Sequence, residues 1–561
     1  MNDYINIYCV NLGRSIDVRG GSSLSEIFRH YKEEFPEEFT PICADVNYKT
    51  EGLTYRVFSP RMVEFLDTTR PQADRVRVRS LCMLLYKSVT DEAPGVRLRI
   101  EHSISRGLYC RLLHGDEMIE VTGELLKRLS SRMARYAELD LPFERHEAPT
   151  QEAKEIFAGQ HLDRKVLLLD TLHQLYTPYY TLDGTADSFY GPLAPGTGCL
   201  GPFRLEKYKE GFLLLGRDPE HPERTSEPIA QEKMYRAFTD YLKFNEIIGV
   251  SNVGELNRAA REQRTSDIVN VAEALHGRLL GHIAGEIKRR HDEGGARIVL
   301  IAGPSSSGKT TSTKRLGIEL MTNLIVPKMI SLDDYFIDRE HTPRDASGDY
   351  DYESLYALDL ERLNSDLSRL LAGEEINLPT YSFQLGQRIE KHRPLWLEDN
   401  EVLLIEGIHG LNPELTSRLP RKEVFKVYVS ALTTLSIDDH NWISTTDTRL
   451  IRRIVRDHKY RHTSAAETIR RWSSVRRGEE RWIFPYQENA DAMFNSSLIF
   501  ELGVMKEYAE PLLRQVRHDS PEYTQAYRLL RLLSYFEPIP LSPIPSTSLL
   551  REFLGGSSLK Y

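Results

Sequence analysis

The chain has 561 residues, enough for about three or four domains and more than one hydrophobic core usually supports. Hydrophobic residues make up 40% of the chain and charged residues 28%, a composition that excludes a disordered or fibrous protein. The net charge of −9 excludes a surface that attracts nucleic acid by its overall charge, so any site for a polyanion must be local.

No stretch reaches the roughly 18 consecutive apolar residues that a membrane-spanning helix requires. The first residues also lack the basic flank and apolar run of a signal peptide, so we expect a cytoplasmic protein with no membrane partner. The five cysteines stand singly, which argues against both a disulfide framework and a zinc site.

The first part of the chain alternates short extended runs with one helix. Strands are predicted over 4–10, 15–18, 41–46 and 53–57, with a helix from Leu24 to about Lys32. Ser23 and Glu26 fit a capping box at the start of that helix. This pattern predicts a small β-grasp domain over residues 1–66.

The pattern stays mixed over 67–250, which predicts a second, α+β domain. Within it, apolar residues at helical spacing indicate an amphipathic helix near 122–137. A longer apolar periodicity over 266–290 predicts one long helix within a connecting segment, 251–295.

Residues 296–561 are predicted to form a doubly wound α/β domain. An apolar, β-branched run at 296–302 indicates a buried parallel strand, and further strand-like runs follow at 326–332, 402–405, 424–429 and 497–501 with helical segments between them. The proline-rich tail at 537–545 cannot be helical, and we expect an extended strap on a domain surface.

Residues 303–310 match the pattern G-x-x-x-x-G-K-[ST] between a predicted strand and a predicted helix. This phosphate-binding loop predicts ATP or GTP as a ligand, with Lys309 reaching the β- and γ-phosphates and the Thr310 hydroxyl on Mg²⁺. The residues expected to hold the nucleotide are Gly303, Ser305, Ser306, Ser307, Gly308, Lys309, Thr310 and Thr311.

Carboxylates follow two of the predicted strands. Asp333 and Asp334 come after the second strand, at the edge where doubly wound sheets bind ligands, so one of them can act as a general base. The alternation of side chains along a strand would put Asp333 and Asp334 on opposite faces. The alternative is that Asp333 only caps the following turn. Glu406 ends another strand and, with Thr310, is the predicted metal pair.

An arginine-rich segment begins at Asp447. On a helix, its arginines at 449, 452, 453 and 456 share one face, while apolar residues form the other. Residues 447–482 contain 11 Lys and Arg against 5 Asp and Glu. This local positive charge favours a lid that closes over phosphates, and the alternative is a solvated charged face.

These motifs occur in the order seen in the uridine kinase and phosphoribulokinase family, which residues 298–502 resemble. The resemblance rests on the phosphate-binding loop and on SLDDYF, DYDY, PTYSF, IEGI and DTRLxRRxxRD. It implies that Asp333 is the base towards a sugar 5′-hydroxyl. It further implies nucleotide contacts from Arg453 and Arg456, a catalytic contact of Arg452 with the phosphates, and substrate contacts from Asp351, Tyr381, Arg388 and Arg449.

The match to uridine kinases is incomplete, because Gly386 stands where they carry a histidine that reads the pyrimidine. We therefore expect a Mg²⁺- and ATP-dependent nucleoside kinase of the uridine or cytidine type, with a nucleoside-like alcohol better supported than uridine itself. Two alternatives remain. One is a sugar-phosphate kinase like phosphoribulokinase, and the other is a nucleotide-dependent, RNA-binding regulatory protein.

The N-terminal half has a resemblance of its own. Its first domain resembles a TGS domain, and segments at 141–145, 153–157 and 191–205 resemble the editing domain of threonyl-tRNA synthetase. Editing in that domain uses two histidines, then a cysteine and a third histidine. The corresponding positions here are Arg79, Met83, Phe189 and Leu193. The resemblance thus implies a degenerate site in a scaffold, a regulatory module or an RNA-docking surface.

Overall fold

A computed structural model of the chain describes residues 3–345, 348–389 and 391–560. Strands β1 to β5 and helix α1 of the first unit are Tyr4–Cys9, Arg14–Arg19, Cys43–Val46, Lys49–Gly52, Met62–Leu66 and Leu24–His30. The sheet order is β2-β1-β5-β3-β4, with β1 and β5 parallel. The predicted capping box at Ser23 and Glu26 is confirmed.

The strand predicted over 53–57 is wrong. The segment is a loop between β4 and β5, and both of these strands pair with β3. Leu53 and Val57 are nevertheless buried. Their apolar side chains fill the core from a loop, because burial of a side chain does not require its backbone to pair in a sheet.

The second unit contains two antiparallel sheets around a long buried helix. Helices α2 to α5 are Pro71–Glu92, Gly123–Glu138, Thr150–Gly159 and Asp163–Thr171. Strands β6 to β13 are Arg97–Ile104, Gly107–His114, Glu117–Met118, Glu144–Pro149, Tyr176–Leu182, Thr185–Asp187, Arg204–Tyr208 and Gly211–Leu215. The sheet orders are β12-β13-β7-β6, with β8 added to β7, and β11-β10-β9.

Three helices, α6 to α8, lead to the last unit: Glu232–Ile248, Val253–Arg261 and Thr265–Asp292. The predicted long helix is therefore confirmed as α8. Strands β14 to β22 then follow as Ile298–Ala302, Val326–Ser331, Ile376–Asn377, Tyr381–Ser382, Gln387–Arg388, Pro394–Leu395, Glu401–Glu406, Val424–Ser430 and Ala492–Asn495. Helices α9 to α15 are Lys309–Thr322, Leu360–Leu371, Thr445–Arg461, Ala465–Trp482, Glu501–Arg514, Glu522–Leu533 and Arg551–Leu554.

The last unit is built on a parallel sheet in the order β15-β20-β14-β21-β22. Every residue of the central strand β14 is buried, as expected of a strand covered by helices on both faces. After β14 the chain continues to β15 at one edge of the sheet, and it later returns to form β21 on the other side of β14. The carboxyl end of β14 therefore lies at the switch point where such sheets form a ligand crevice.

Two predictions for this unit need correction. The strand predicted over 497–501 is wrong, because the last strand is β22 and Glu501 already begins α13. The proline-rich tail is not helical, but it does not simply lie on a surface, since Ile539 and Ile544 are 1% and 2% exposed. Within the described ranges, no helix has the length and apolarity to cross a membrane.

A buried ionic network joins the second unit to the loop between β21 and α11. Lys165 Nζ lies 2.5 Å from Asp187 Oδ1 and 3.1 Å from Asp438 Oδ2, and His440 Nδ1 lies 2.7 Å from Asp187 Oδ2. Burial alone would lower the pKa of Lys165, but the two carboxylates raise it above its usual value. Because water does not reach these groups, each charge is stabilised by the opposite charges of the network.

Replacing Lys165 with Met should destabilise the protein by about 3–5 kcal/mol, because Asp187 and Asp438 would stay buried without their cation. Urea denaturation followed by circular dichroism measures the loss. Lys154→Met is the matched control, since Lys154 pairs with the half-exposed Asp170 and should cost about 1 kcal/mol or less. Equal transition midpoints for the two variants would contradict the prediction.

Candidate active site

The phosphate-binding loop connects β14 to α9 at the switch point of the sheet. Its tight path depends on glycine: a Cβ on Gly303 would lie 2.0 Å from the Val429 carbonyl oxygen, and Gly308 has a φ of +84°. Ser306 also adopts a left-handed conformation, with φ 58°. Such a curled loop turns successive N–H groups towards the start of α9, which is the arrangement that binds phosphate.

Thr310 and Glu406 meet beneath this loop, as the sequence predicts for a metal pair. The Thr310 hydroxyl donates to Glu406 Oε1 over 3.2 Å. Burial, with the charges of Asp333 and Glu552 and against the opposing charge of Lys309, raises the pKa of Glu406 to about 7. Crowded oxygen ligands of this kind fit Mg²⁺, whose charge would offset their repulsion.

Lys309 is folded back onto its own loop, where its Nζ donates to the Pro304 carbonyl oxygen over 3.2 Å. Burial lowers its pKa, and the charges of Glu406, Glu552 and Asp333 act against this shift. Its ammonium group is thus placed among carboxylates at the mouth of the loop.

Asp333 and Asp334 lie in a turn after β15 and not on the strand itself. The strand ends at Ser331, and residues 332–335 form a 3₁₀ helix. The backbone N–H of Asp333 donates to the Ser331 hydroxyl over 3.2 Å. The alternation argument is therefore wrong in its geometry. Ser331, and not the Asp333 side chain, caps this turn.

The turn gives the two carboxylates different surroundings. Asp334 Oδ2 lies 3.0 Å from Nη1 of Arg393, whereas the Asp333 side chain is exposed towards the cleft. Desolvation by the cleft walls raises the pKa of Asp333, with Asp334 adding to the increase and Lys309 opposing it. Asp333 is thus the carboxylate whose basicity is increased.

The arginines of α11 divide into two pairs, so the prediction of one open arginine face is wrong. Arg449 and Arg452 are 1% and 0% exposed. Arg449 forms an ion pair with Glu479, and its Nε donates to the Ser305 carbonyl oxygen over 2.9 Å.

Arg452 has the same kind of surroundings. It forms an ion pair with Glu501 and donates to the carbonyl oxygens of Ser496, over 3.0 Å, and Ser306, over 3.4 Å. Arg449 and Arg452 therefore hold the outer side of the loop backbone, because α11 packs directly against it.

Arg453 and Arg456 remain partly exposed, with 14% and 18% of their side chains accessible. Arg453 Nη1 donates to the Ser305 hydroxyl over 2.8 Å. Both guanidinium groups also contact Asp457, at 3.2 and 3.0 Å. They are the members of the arginine face that stay available beside the loop.

An aromatic pocket lies next to the turn that carries Asp333. The ring of Tyr381 is 5.5 Å from that of Phe336 and 5.1 Å from that of Phe383, and Tyr352 lies 6.1 Å from Phe336. The Tyr381 hydroxyl is buried and has no hydrogen-bond partner among the residues that the structure describes. Phe383 is 52% exposed, whereas Phe336 and Tyr381 are 7% and 8% exposed, so the pocket offers one open ring beside a buried hydroxyl.

The other predicted substrate residues lie around this pocket. Asp351 Oδ1 accepts from the Glu353 N–H over 3.2 Å. Arg388 is already engaged: it bonds to Asp359 Oδ2 over 2.8 Å and to the Phe336 carbonyl oxygen over 3.1 Å. Arg388 thus supports the pocket wall in this structure.

The sequence prediction did not include Arg339. Its guanidinium donates to the Tyr352 hydroxyl over 2.9 Å and to the Phe383 carbonyl oxygen over 2.7 Å. It also fills the space beside Gly386, where a Cβ would lie 2.6 Å from its Cζ. No local motif marks Arg339, because it reaches the pocket through the folding of a distant loop.

Glu353 and Glu479 were missed as well. Burial, together with the charge of Glu479, raises the pKa of Glu353 to about 7. Glu479 is fully buried and contacts both Arg449 and the Ser305 N–H, the latter over 2.9 Å. The only signal for Glu479 in the sequence is an acidic residue within an arginine-rich helical segment.

Residues 298–499 match the model of the phosphoribulokinase / uridine kinase family. The uridine kinase of Bacillus pumilus (strain SAFR-032) is 31% identical over 195 residues, which cover 35% of this chain and 83% of that protein. The uridine kinase of Anoxybacillus flavithermus (strain DSM 21510 / WK1) is 30% identical with the same coverage.

A solved structure, described as a possible uridine kinase from Bacillus stearothermophilus, is 22% identical and aligns with a TM-score of 0.25 over 37% of this chain and 100% of that one. The family match runs through the phosphate-binding loop, the carboxylates at 333 and 406, and the arginine helix. The matched residues also cover 83% of the length of the Bacillus pumilus uridine kinase at 31% identity. The chain therefore belongs to the phosphoribulokinase and uridine kinase family.

Proposed function

We propose that the protein is an ATP-dependent kinase that phosphorylates the 5′-hydroxyl of a nucleoside-like alcohol. The observation that carries the proposal is that Asp333 follows the strand end paired with Glu406, while Phe336 at the end of the same turn packs on Tyr381. This arrangement supports one crevice in which a phosphate donor, a basic carboxylate and a planar acceptor would meet. Family membership supports phosphoryl transfer as the reaction class.

In this proposal the loop amides and Lys309 hold the β- and γ-phosphates. Thr310 and Glu406 would hold Mg²⁺, which when bound neutralises charge on the phosphates. Asp333 accepts the proton of the acceptor hydroxyl, and its raised pKa makes it a stronger base than an ordinary aspartate. Arg453 stabilises the charge that develops during transfer.

The aromatic pocket supports a nucleoside over a sugar phosphate as the acceptor. The exposed ring of Phe383 offers a face on which a planar base can stack, beside the buried rings of Phe336 and Tyr381. Asp351 suits ribose hydroxyls, because a carboxylate accepts hydrogen bonds from both. A pentose phosphate would leave the ring faces without a partner.

A substrate panel tests the function. With ATP and Mg²⁺, we expect ADP production to depend on an added nucleoside such as uridine or cytidine. Ribulose 5-phosphate and RNA serve as the comparison acceptors. Turnover with the pentose phosphate alone would assign a sugar-phosphate kinase, and ADP production stimulated only by RNA would assign a nucleotide-dependent RNA-binding protein.

Asp333→Asn should reduce turnover by roughly 10²- to 10⁴-fold with little change in ATP affinity, because the amide keeps the shape but cannot accept the proton. Asp334→Asn is the matched control, since that carboxylate pairs with Arg393 outside the reaction path. Single-turnover transfer and ATP binding distinguish the two variants. A nearly normal Asp333→Asn enzyme beside an inactive Asp334→Asn enzyme would shift the assignment by one residue.

Arg453→Ala should lower kcat by roughly 10²-fold, whereas Arg452→Ala should act first on stability. The latter leaves Glu501 buried without its cation, at a cost of about 3–5 kcal/mol. Steady-state kinetics and thermal unfolding of both variants measure these effects. Unchanged turnover in Arg453→Ala, with its fold intact, would return Arg453 to a purely structural role.

For the N-terminal half we propose a TGS-like domain followed by a synthetase-like domain without hydrolytic activity, located in the cytoplasm with the kinase. Met83, Phe189 and Leu193 are buried in the apolar core, and Arg79 donates to the Pro192 carbonyl oxygen over 3.1 Å. These side chains supply no imidazole or thiol to activate water. A scaffold that holds the kinase unit is the role that the buried Lys165 network supports.

A further inference from the structure

The C-terminal segment 541–560, here called the strap, covers the phosphate-binding loop. The side chain of Leu549 packs on Gly308, so closely that a Cβ at that glycine would lie 2.7 Å from Leu549 Cδ1. From the next turn, Glu552 Oε2 accepts hydrogen bonds from the Thr311 hydroxyl over 2.5 Å and from the Thr311 N–H over 3.3 Å. A carboxylate of the chain itself therefore lies at the first turn of α9.

This position is where a nucleotide phosphate would be held. The N–H groups at the start of the helix after the loop are the donors that bind phosphate, and the helix dipole favours an anion there. The carboxylate of Glu552 meets the same two donors, the amide and hydroxyl of Thr311, that a phosphate oxygen would use. Its charge also acts on Lys309 and Glu406.

A second carboxylate of the chain lies at the other end of the loop. Glu479 of α12 accepts from the Ser305 N–H over 2.9 Å. The structure thus has an internal anion at both ends of the row of amides, one from α12 and one from the strap. Glu479 thereby satisfies the Ser305 N–H, a donor that would be costly to leave unpaired in a low-dielectric site.

The strap is anchored on α11 and on itself. Lys459 Nζ donates to the Leu554 carbonyl oxygen over 2.7 Å, and Arg551 Nη2 donates to the Ile544 carbonyl oxygen over 2.6 Å. Phe553 is fully buried and lies 5.3 Å from the Arg452 guanidinium. These contacts position Glu552 on the loop rather than leaving it on a free chain end.

We propose that the strap keeps the kinase site closed to nucleotide, with Glu552 in the place of a nucleotide phosphate, and that nucleotide binds by displacing it. The inference rests on the proposed function, because it requires that nucleotide bind at this loop. The apparent affinity for nucleotide is then reduced by the fraction of molecules in which the strap is closed.

Glu552→Ala in the full-length protein tests the proposal. Calorimetric titration with ADP should show binding roughly 10-fold or more tighter than in the wild type, since a charge-assisted contact no longer competes. Glu552→Gln should give a smaller gain, because the amide oxygen can still accept from Thr311. Glu507→Ala, which removes an exposed carboxylate of α13, is the control and should leave the affinity unchanged.

The outcomes separate the strap from the kinase assignment. Equal ADP affinity in Glu552→Ala and wild type would overturn the proposal that the strap blocks nucleotide, and would leave the proposed function standing. Absence of ADP binding in both proteins would overturn the proposed function and the strap together.

Hydrogen exchange on the wild-type protein gives a test that needs no variant. Saturating ADP should accelerate deuterium uptake in residues 549–554, because the strap leaves the loop when nucleotide binds. Slower uptake in these residues would show that the strap closes over bound nucleotide as part of its site, and would overturn the proposal.

Discussion

The site depends on how the backbone of the phosphate-binding loop is held from its outer side. A loop that turns its N–H groups inwards must turn carbonyl groups outwards, and buried carbonyls need donors. Arg449 and Arg452 supply these donors to Ser305 and Ser306. Their own charges are balanced by the buried carboxylates of Glu479 in α12 and Glu501 in α13, so the loop and helices α11 to α13 form one electrostatic unit.

Around that unit the carboxylates of Asp333, Glu406 and Glu552 lie close enough to Lys309 to influence its charge, with Arg456 as a further cation. Asp333 and Glu406 both have raised pKa values, and for Glu406 the presence of Glu552 contributes. Such an arrangement favours the arrival of cations and the uptake of protons. In the proposed kinase, the same physical property would support a base at the acceptor side and a metal pair at the phosphate side.

The N-terminal half is tied to this unit through the loop that joins β21 to α11. Asp438 and His440 of that loop enter the second unit and meet Lys165 and Asp187 there. Because α11 follows directly, the arginines that hold the phosphate-binding loop begin only a few residues beyond a contact with another unit. The kinase site is thereby supported by residues far outside the family match.

Local patterns were enough to predict the central strand, the strand–loop–helix around residues 303–310, the long connecting helix and the helix that carries the arginines of α11, because periodicity and motif spacing act over neighbouring residues. They also singled out Thr310 and Glu406, which the structure brings into contact. They could not predict which arginines are buried, that Arg339 occupies the space at Gly386, or that Glu552 reaches Thr311. Each of these depends on segments that meet only when the sheet and its helices pack. Tertiary structure decided them, since charge burial and hydrogen-bond satisfaction are properties of that packing and not of the local chain.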